Sequence, residues 1–375
     1  MKEKIRILHV LGGLNRGGAE TMVMNVYRNI DRSKIQFDFI IHTTEKCDYE
    51  DEIKKLGGEI YRVPRYNGKN HIVYKNVWHK FFRLHSEYKI IHGHLRSTAA
   101  IYLNIAKKYK LKTIAHSHNT SSGSGVAAVI KNVMQIPIRY IADYLFACSD
   151  DAGKWLFGKN VINNKKYRII ENSIDCDSYM YNDHLRNNMR KSLDLSDKYV
   201  IGHVGRFNIQ KNHEFLLEVF FELQKSRSNA VLLLIGDGEL RGDLEQRILD
   251  LEIQEKVIFT GVISNVNDFM QIMDIFVFPS HFEGLGMVVI EAQAAGLPCI
   301  VSDTVPSEAH VTNLIKSLSL SLSATEWANE ILNSEIINNR LDAYIEVKKS
   351  GYNIAESSEF LEKFYSKMLI KEVYT

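Results

Sequence analysis

Residues 275–302 read IFVFPSHFEGLGMVVIEAQAAGLPCIVS, and this stretch decides the fold. The uncharged run 275–279 has the character of a strand covered on both faces, which needs no polar alternation. Gly284 and Gly286 mark a turn into a helical segment carrying Glu291, and 299–302 is a second apolar run. A strand, a turn, a helix and a strand in this order join parallel neighbours. The same rhythm extends outward, with apolar runs at 200–204, 230–235 and 257–260. Upstream of a polar, charged stretch at 181–198, further runs lie at 5–11, 37–42, 59–63, 90–94, 112–116, 144–148 and 168–170. The chain's 375 residues exceed what one hydrophobic core organises. The expected fold is therefore α/β, with two doubly wound Rossmann-like domains meeting near 172–185 and ligands at the carboxyl ends of the strands, in the crevice between domains. A last helix at 355–371 carries an apolar stripe of Phe360, Leu361, Phe364, Tyr365 and Met368 that needs a surface to cover it.

Composition excludes several classes. With 45% hydrophobic and 25% charged residues, the chain is neither disordered nor fibrous. The run 5–11 is broken by Arg6 and His9 and lacks a small-residue cleavage site, so it reads as a strand and not a signal peptide, and the chain is expected in the cytoplasm. The longest uncharged stretch, 113–130, holds His116, His118, Asn119 and a Ser/Gly cluster and cannot span a bilayer. Cys47, Cys148, Cys176 and Cys299 are scattered, which argues against a disulfide framework and against a thiolate zinc site. The net charge of +2 hides an asymmetry: residues 1–175 carry a formal +13 and residues 176–375 a formal −11. One half thus suits an anionic surface such as a membrane leaflet or a phospholipid-linked substrate; the alternative is that the two halves attract each other. No arginine-rich run, zinc finger or aromatic-basic signature points to nucleic acid.

Six stretches carry candidate chemistry. In His281-Phe-Glu283-Gly284-Leu285-Gly286-Met287, continuing to Glu291, small residues at a strand-to-helix turn let a ligand approach backbone N–H groups, and the helix N-terminus attracts phosphate. Glu283 precedes the helix and Glu291 sits about two turns into it, so the two carboxylates reach different parts of one elongated ligand. In Gly205-Arg206-Phe-Asn-Ile-Gln-Lys211, a turn after a buried strand presents two cations close together, which suits a diphosphate. Gly236-Asp237-Gly238 is a third strand-end turn. In the first half, residues 12–20 (GGLNRGGAE) place Gly17 and Gly18 at a helix start but lack the G-x-G-x-x-G spacing of dinucleotide folds. His92-Gly-His94 and His116-Ser-His118 end two strands. Their alternation suggests zinc, but no third-ligand motif stands nearby in sequence, and His118 is better placed to touch a substrate. Asp175-Cys-Asp177 is a D-x-D, a pattern that can hold a divalent metal.

Taken together, residues 12–20, His118, the junction Glu171-Asn-Ser-Ile-Asp175, Gly205-Arg206 with Lys211, Gly236-Asp237-Gly238 and Glu283 to Glu291 resemble the GT-B superfamily, specifically the retaining glycosyltransferases of family four. EAQAAGLPCIVSDTVPSEA and ILHVLGGLNRGGAE look most like bacterial exopolysaccharide and capsule enzymes. Two positions depart from the family pattern: Ser173 stands where glycine is usual, and residues 305–323 replace a glycine-rich segment. The resemblance implies an N-terminal acceptor domain at 1–175, a nucleotide-sugar domain at 176–354, and a terminal helix, 355–375, crossing back onto the first. Arg206 and Lys211 would hold the diphosphate, the backbone at 285–287 would cap it, Glu291 would hold the ribose and Glu283 the donor sugar. Gly17, Gly18, Gly236, Asp237, Gly261 and Val262 would also line the donor site, with Gly284 and Gly286. His118 would lie near the anomeric centre, reached on domain closure. The implied reaction retains anomeric configuration, uses no metal and no cofactor, and takes a nucleotide sugar, by analogy UDP-linked, as substrate.

The basic N-terminal half and the apolar-basic stretch 126–146 suit a glycan or lipid-diphosphate acceptor at the inner face of the membrane, where the chain would be peripheral. An ordinary buried helix explains that stretch equally. Other readings are a GT-B enzyme with a small soluble acceptor, a nucleotide-sugar epimerase, a non-catalytic subunit of a glycan-assembly complex, and a metal-dependent transferase built on Asp175 and Asp177.

Overall fold

A computed structural model of the chain describes residues 4–119, 125–334 and 339–370. It divides into two compact units, 1–173 with 354–375, and 174–353. The first holds seven parallel strands: β1 (Ile5–Val10), β2 (Ile35–Ile41), β3 (Ile60–Arg62), β4 (Ile90–Gly93), β5 (Lys112–Ser117), β6 (Tyr144–Ala147) and β7 (Tyr167–Ile169), in the order β3-β2-β1-β4-β5-β6-β7. The strand order reverses direction between β1 and β4, and at such a switch point the loops leave to opposite faces and open a crevice.

The second unit repeats the plan with six parallel strands: β8 (Tyr199–Val204), β9 (Ala230–Ile235), β10 (Val257–Gly261), β11 (Ile275–Phe278), β12 (Cys299–Ser302) and β13 (Ile315–Leu318), ordered β10-β9-β8-β11-β12-β13. Its switch point lies between β8 and β11. Every residue of β9, β11 and β12 is buried, as their charge-free sequences require of strands with helices on both faces. β13 is absent from the sequence expectation because IKSL at the sheet's edge is short and half polar.

The terminal helix, Ile354–Ile370, belongs to the first unit and packs beside the helix Gly18–Asn29. Leu361, Tyr365 and Met368 are buried in the cluster formed by Ile7, Phe37 and Phe146. Phe360, expected in the same stripe, faces solvent, because the helix's covered face is narrower than the apolar residues on it. Ser173 takes no positive φ, so the loss of the usual glycine strains nothing; its hydroxyl bonds the Glu171 carbonyl at 3.0 Å and the Ser357 hydroxyl at 2.7 Å. All four cysteines are free. No described helix is long and apolar enough to cross a membrane.

Candidate functional site

In the second unit the loops after β8 and β11, neighbours at the switch point, are stitched together. His281 N donates to the Gln210 carbonyl at 2.8 Å, and Gln210 Nε2 donates to the Phe282 carbonyl at 2.9 Å. This brings Lys211 Nζ to 2.6 Å from Glu283 Oε1, with the ammonium 4.6 Å from the centre of the Phe278 ring. Both side chains are largely covered, so the pair is screened little by solvent. Asn208 holds the lysine's loop by accepting from Lys211 N at 3.2 Å.

Gly286 begins the helix Met287–Ala294 with φ at 80°, the left-handed conformation that favours glycine, and no side chain caps that end. Val289 N donates to the Gly286 carbonyl at 2.8 Å, and the N–H groups of Met287 and Val288 ahead of it have no acceptor within the helix. Glu291 follows on this helix. Desolvation raises its carboxyl from the usual value to about 7, and a hydrogen bond with Tyr179 works in the opposite direction.

Gly236, Asp237 and Gly238 follow β9 and thread against the Gly205–Phe207 turn. Phe207 N donates to the Asp237 carbonyl at 3.0 Å, and Gly236 N donates to the Gly261 carbonyl at 3.0 Å. A side chain on Gly236, at φ 136°, would come within 2.0 Å of the Gly205 carbonyl oxygen, so glycine is demanded by both space and conformation. Gly261 ends β10 next to the exposed Val262. Gly284 has open space around it.

Arg206 and Lys211, read from the sequence as lying close together, bond different carboxylates. The Arg206 guanidinium lies exposed, 3.2 Å from Glu239, while Lys211 turns inward to Glu283. Arg206 stands two residues past the end of β8, whereas Lys211 ends a short 3-10 turn, Ile209–Lys211, that sets its ammonium over Phe278 of β11. The D-x-D is also differently engaged: the Asp177 carboxylate bonds Tyr344 and Lys348, so its charge is already matched by the protein.

In the first unit, Gly17 caps and Gly18 opens the helix Gly18–Asn29. At the switch point, β1, β4, β5 and the residues just past β4 and β5 bring five histidines together. His9 Nδ1 lies 2.9 Å from His94 Nε2, and His94 Nδ1 lies 2.8 Å from His118 Nε2. Alongside, the Tyr365 hydroxyl is 2.7 Å from His92 Nδ1, and His92 Nε2 is 3.2 Å from His116 Nδ1. Gly93 between His92 and His94 is required because the opposite face is filled by Tyr102, whose hydroxyl would be 2.2 Å from a Cβ. Burial lowers the pKa of His9 to about 3 and of His118 to about 4, and pushes His92, His94 and His116 down as well, so all five rings are neutral at pH 7.

The expectation that no third ligand stands near the alternating histidines is therefore corrected. His9, His92 and His94, and likewise His94, His116 and His118, offer nitrogens within 4.8 Å of one another, a donor set suited to a late transition metal. Parallel strands supply the missing neighbour: the register sets His9 opposite His92, 83 positions apart in the chain and without local signal. The Ser/Gly run after Asn119 falls at 120–124, outside the described residues.

Known proteins show the same organisation. Residues 16–178 match the model of the family described as Glycosyltransferase Family 4, and residues 186–331 that of Glycosyl transferases group 1. Over 87% of this chain and 86% of the relative, the sequence is 35% identical to the putative glycosyltransferase EpsF of Bacillus subtilis. It is 21% identical, over 76% of the chain and 77% of the relative, to the UDP-Gal:alpha-D-GlcNAc-diphosphoundecaprenol alpha-1,3-galactosyltransferase of Escherichia coli. Among solved structures, Anabaena HepE in complex with UDP superposes with a TM-score of 0.77 at 16% identity, covering 97% of this chain and 100% of that one. Two doubly wound units, each with its polar residues gathered at the switch point, and matches that together span both, make this chain a member of the GT-B glycosyltransferases of group 1 and family 4.

Proposed function

We propose that this glycosyltransferase moves a sugar from a UDP-sugar to a lipid-diphosphate-linked glycan in surface polysaccharide assembly, with retention of configuration and without a catalytic metal or other cofactor. The observation that carries the reading is the covered Lys211–Glu283 pair beside the uncapped, glycine-led helix Met287–Ala294. A fixed ammonium and the open N–H groups of Met287 and Val288 at a helix N-terminus suit a diphosphate whose charge grows as it leaves. Lys211 would move from Glu283 onto the diphosphate, freeing the Glu283 carboxylate for donor-sugar hydroxyls. Arg206 would join it by leaving Glu239, a surface pair whose loss costs about 0–1 kcal/mol. Glu291 would accept from the ribose hydroxyls, and Gly236, Asp237, Gly261 and Val262 would give the base a close backbone surface.

His118 of the first unit would bond the donor sugar near its anomeric carbon. The bond from that carbon to the diphosphate oxygen breaks, the acceptor oxygen bonds to the same face, and the departing phosphate oxygen takes the acceptor's proton. The UDP in the HepE complex and the UDP-Gal and diphosphoundecaprenol in the name of the Escherichia coli relative support the choice of donor and acceptor. A peripheral membrane position is supported by the helix Val126–Gln135, where Val129, Ile130 and Val133 are exposed beside Lys131, in a half of the chain with a formal +13.

Thermal melting against UDP, GDP, ADP and TDP, with and without EDTA, tests the donor site, since a ligand specific for the folded state raises the melting temperature. Stabilisation by UDP that chelator leaves unchanged is expected. Stabilisation by none of the four, or only with added metal, rules the reading out. The anomeric configuration of the product, read by proton NMR, decides retention.

A further inference from the structure

We propose that His94, His116 and His118 form a binding site for a late divalent transition metal such as zinc, and that the bound ion switches the enzyme off by engaging His118. The inhibition, though not the site, rests on the reading of His118 as the residue that touches the sugar donor. Each of the three imidazoles offers a nitrogen, and these nitrogens lie within 4.8 Å of one another. Paired strands assemble them: His94 stands just past β4, His116 lies in β5 and His118 just past it. Zinc holds imidazole nitrogen at about 2.0–2.1 Å, which sets ligating nitrogens about 3.3 Å apart, so the rings close on an ion by moving about 1 Å or less. Three histidines and a fourth position left to solvent make an open zinc site, and imidazole also suits copper and nickel.

Two nitrogens of the group, His116 Nε2 and His118 Nδ1, are buried without a hydrogen-bond partner. Their rings stack with centroids 4.1 Å apart. The other nitrogen of each ring is already used: His116 Nδ1 lies 3.2 Å from His92 Nε2, and His118 Nε2 lies 2.8 Å from His94 Nδ1. Buried polar atoms are paired in all but a few cases, so two bare nitrogens on adjacent rings call for a ligand. Coordination satisfies a lone pair as a hydrogen bond does. His94 joins by giving up one of its two ring contacts, to His9 at 2.9 Å or to His118 at 2.8 Å.

His9, His92 and His94 form a second triad of the same spacing, but His9 and His92 are only 2% and 1% exposed. His118 keeps part of its surface open past the strand end, so an ion reaches the cluster from the His118 side. With nitrogen donors alone the site passes over magnesium and calcium, which take oxygen ligands. An ion held by His118 takes that imidazole away from the donor sugar. It also sets a dipositive charge beside the anomeric carbon, where positive charge builds as the diphosphate departs. The sugar transfer itself needs no ion, and occupancy opposes it.

The test uses the untagged, metal-free full chain, with cobalt(II) as the spectroscopic probe and zinc as its competitor. Wild type is expected to bind one cobalt per chain with the intense visible bands of a four-coordinate ion, and one equivalent of zinc should displace it. His116→Ala and His118→Ala should each weaken cobalt binding at least about 100-fold, the upper end of what losing a mere hydrogen-bond partner of a ligand costs. His71→Ala, at an exposed histidine opening the helix His71–Leu84, should leave it unchanged. Zinc should inhibit sugar transfer and EDTA restore it. Relative to its own rate without zinc, His116→Ala should need at least about tenfold more zinc for half-inhibition.

Absence of cobalt bands in the wild type, or the weak bands of a six-coordinate surface ion, overturns the site, and that spectrum needs no variant to fold. Cobalt binding that survives both alanine substitutions overturns it as well. Zinc bound by the three histidines with the transfer rate unchanged overturns the inhibition and the placement of His118 at the donor, while the site stands. Failure of the donor reading shows separately, as no stabilisation of the metal-free chain by UDP.

Discussion

Glu291→Gln should make the second unit more stable at alkaline pH while weakening its hold on UDP. Desolvation raises the Glu291 carboxyl from its usual 4.5 to about 7. Between those values the folded chain keeps a proton that the unfolded chain gives up, so the raised group favours folding below about pH 4.5 and that contribution is lost as pH rises through 7. At about 1.36 kcal/mol per pH unit, holding the ionised carboxylate at pH 8 costs roughly 3 kcal/mol, against under about 1 kcal/mol at pH 5. Glutamine fills the same space, can still bond Tyr179 and has nothing to ionise. Urea unfolding of both proteins at pH 5 and pH 8 should therefore show the variant gaining about 2–3 kcal/mol more at the higher pH. For a unit of this size that is a rise of roughly 4–10 °C in melting temperature. UDP affinity should fall at least about tenfold, because an ionised acceptor facing the ribose is lost. A stability difference that does not change between the two pH values refutes the argument that burial, rather than packing, sets the character of Glu291.

Lys211→Ala should lower kcat/KM by about 100–1,000-fold, the scale of losing one fixed group that stabilises the leaving charge, and Arg206→Ala less, since it sits exposed on Glu239 before the ligand arrives; steady-state kinetics with UDP-sugars compare them. Gly236→Ala should destabilise the second unit by roughly 2–4 kcal/mol in urea unfolding, from the 2.0 Å approach to the Gly205 carbonyl and the left-handed backbone together. The chain should co-sediment with anionic vesicles in a way that salt weakens and Val129→Asp with Val133→Asp abolishes; equal binding to neutral vesicles removes the membrane reading.

Sequence by itself determined what depends on local chemistry. Charge-free runs such as AVLLLI and IFVF, short and bounded by turn residues, read as strands covered on both faces, and their alternation with helices favours parallel sheets. Glycines at strand ends marked where a ligand comes close, and the candidate residues Gly205, Lys211, Glu283 and Glu291 were legible because a turn and the helix after it lie within about 20 residues of each other in the chain. Partnership was decided by the tertiary structure. That Lys211 turns to Glu283 while Arg206 turns away to Glu239 depends on how two loops separated by 72 positions are stitched, which no local period records. Five histidines on three strands and just past two of them became one cluster because strand order placed β1 beside β4 and β4 beside β5. The register between those strands is set by side chains filling the core over the whole sheet, so the bonds that hold His118 were written in no single stretch of sequence.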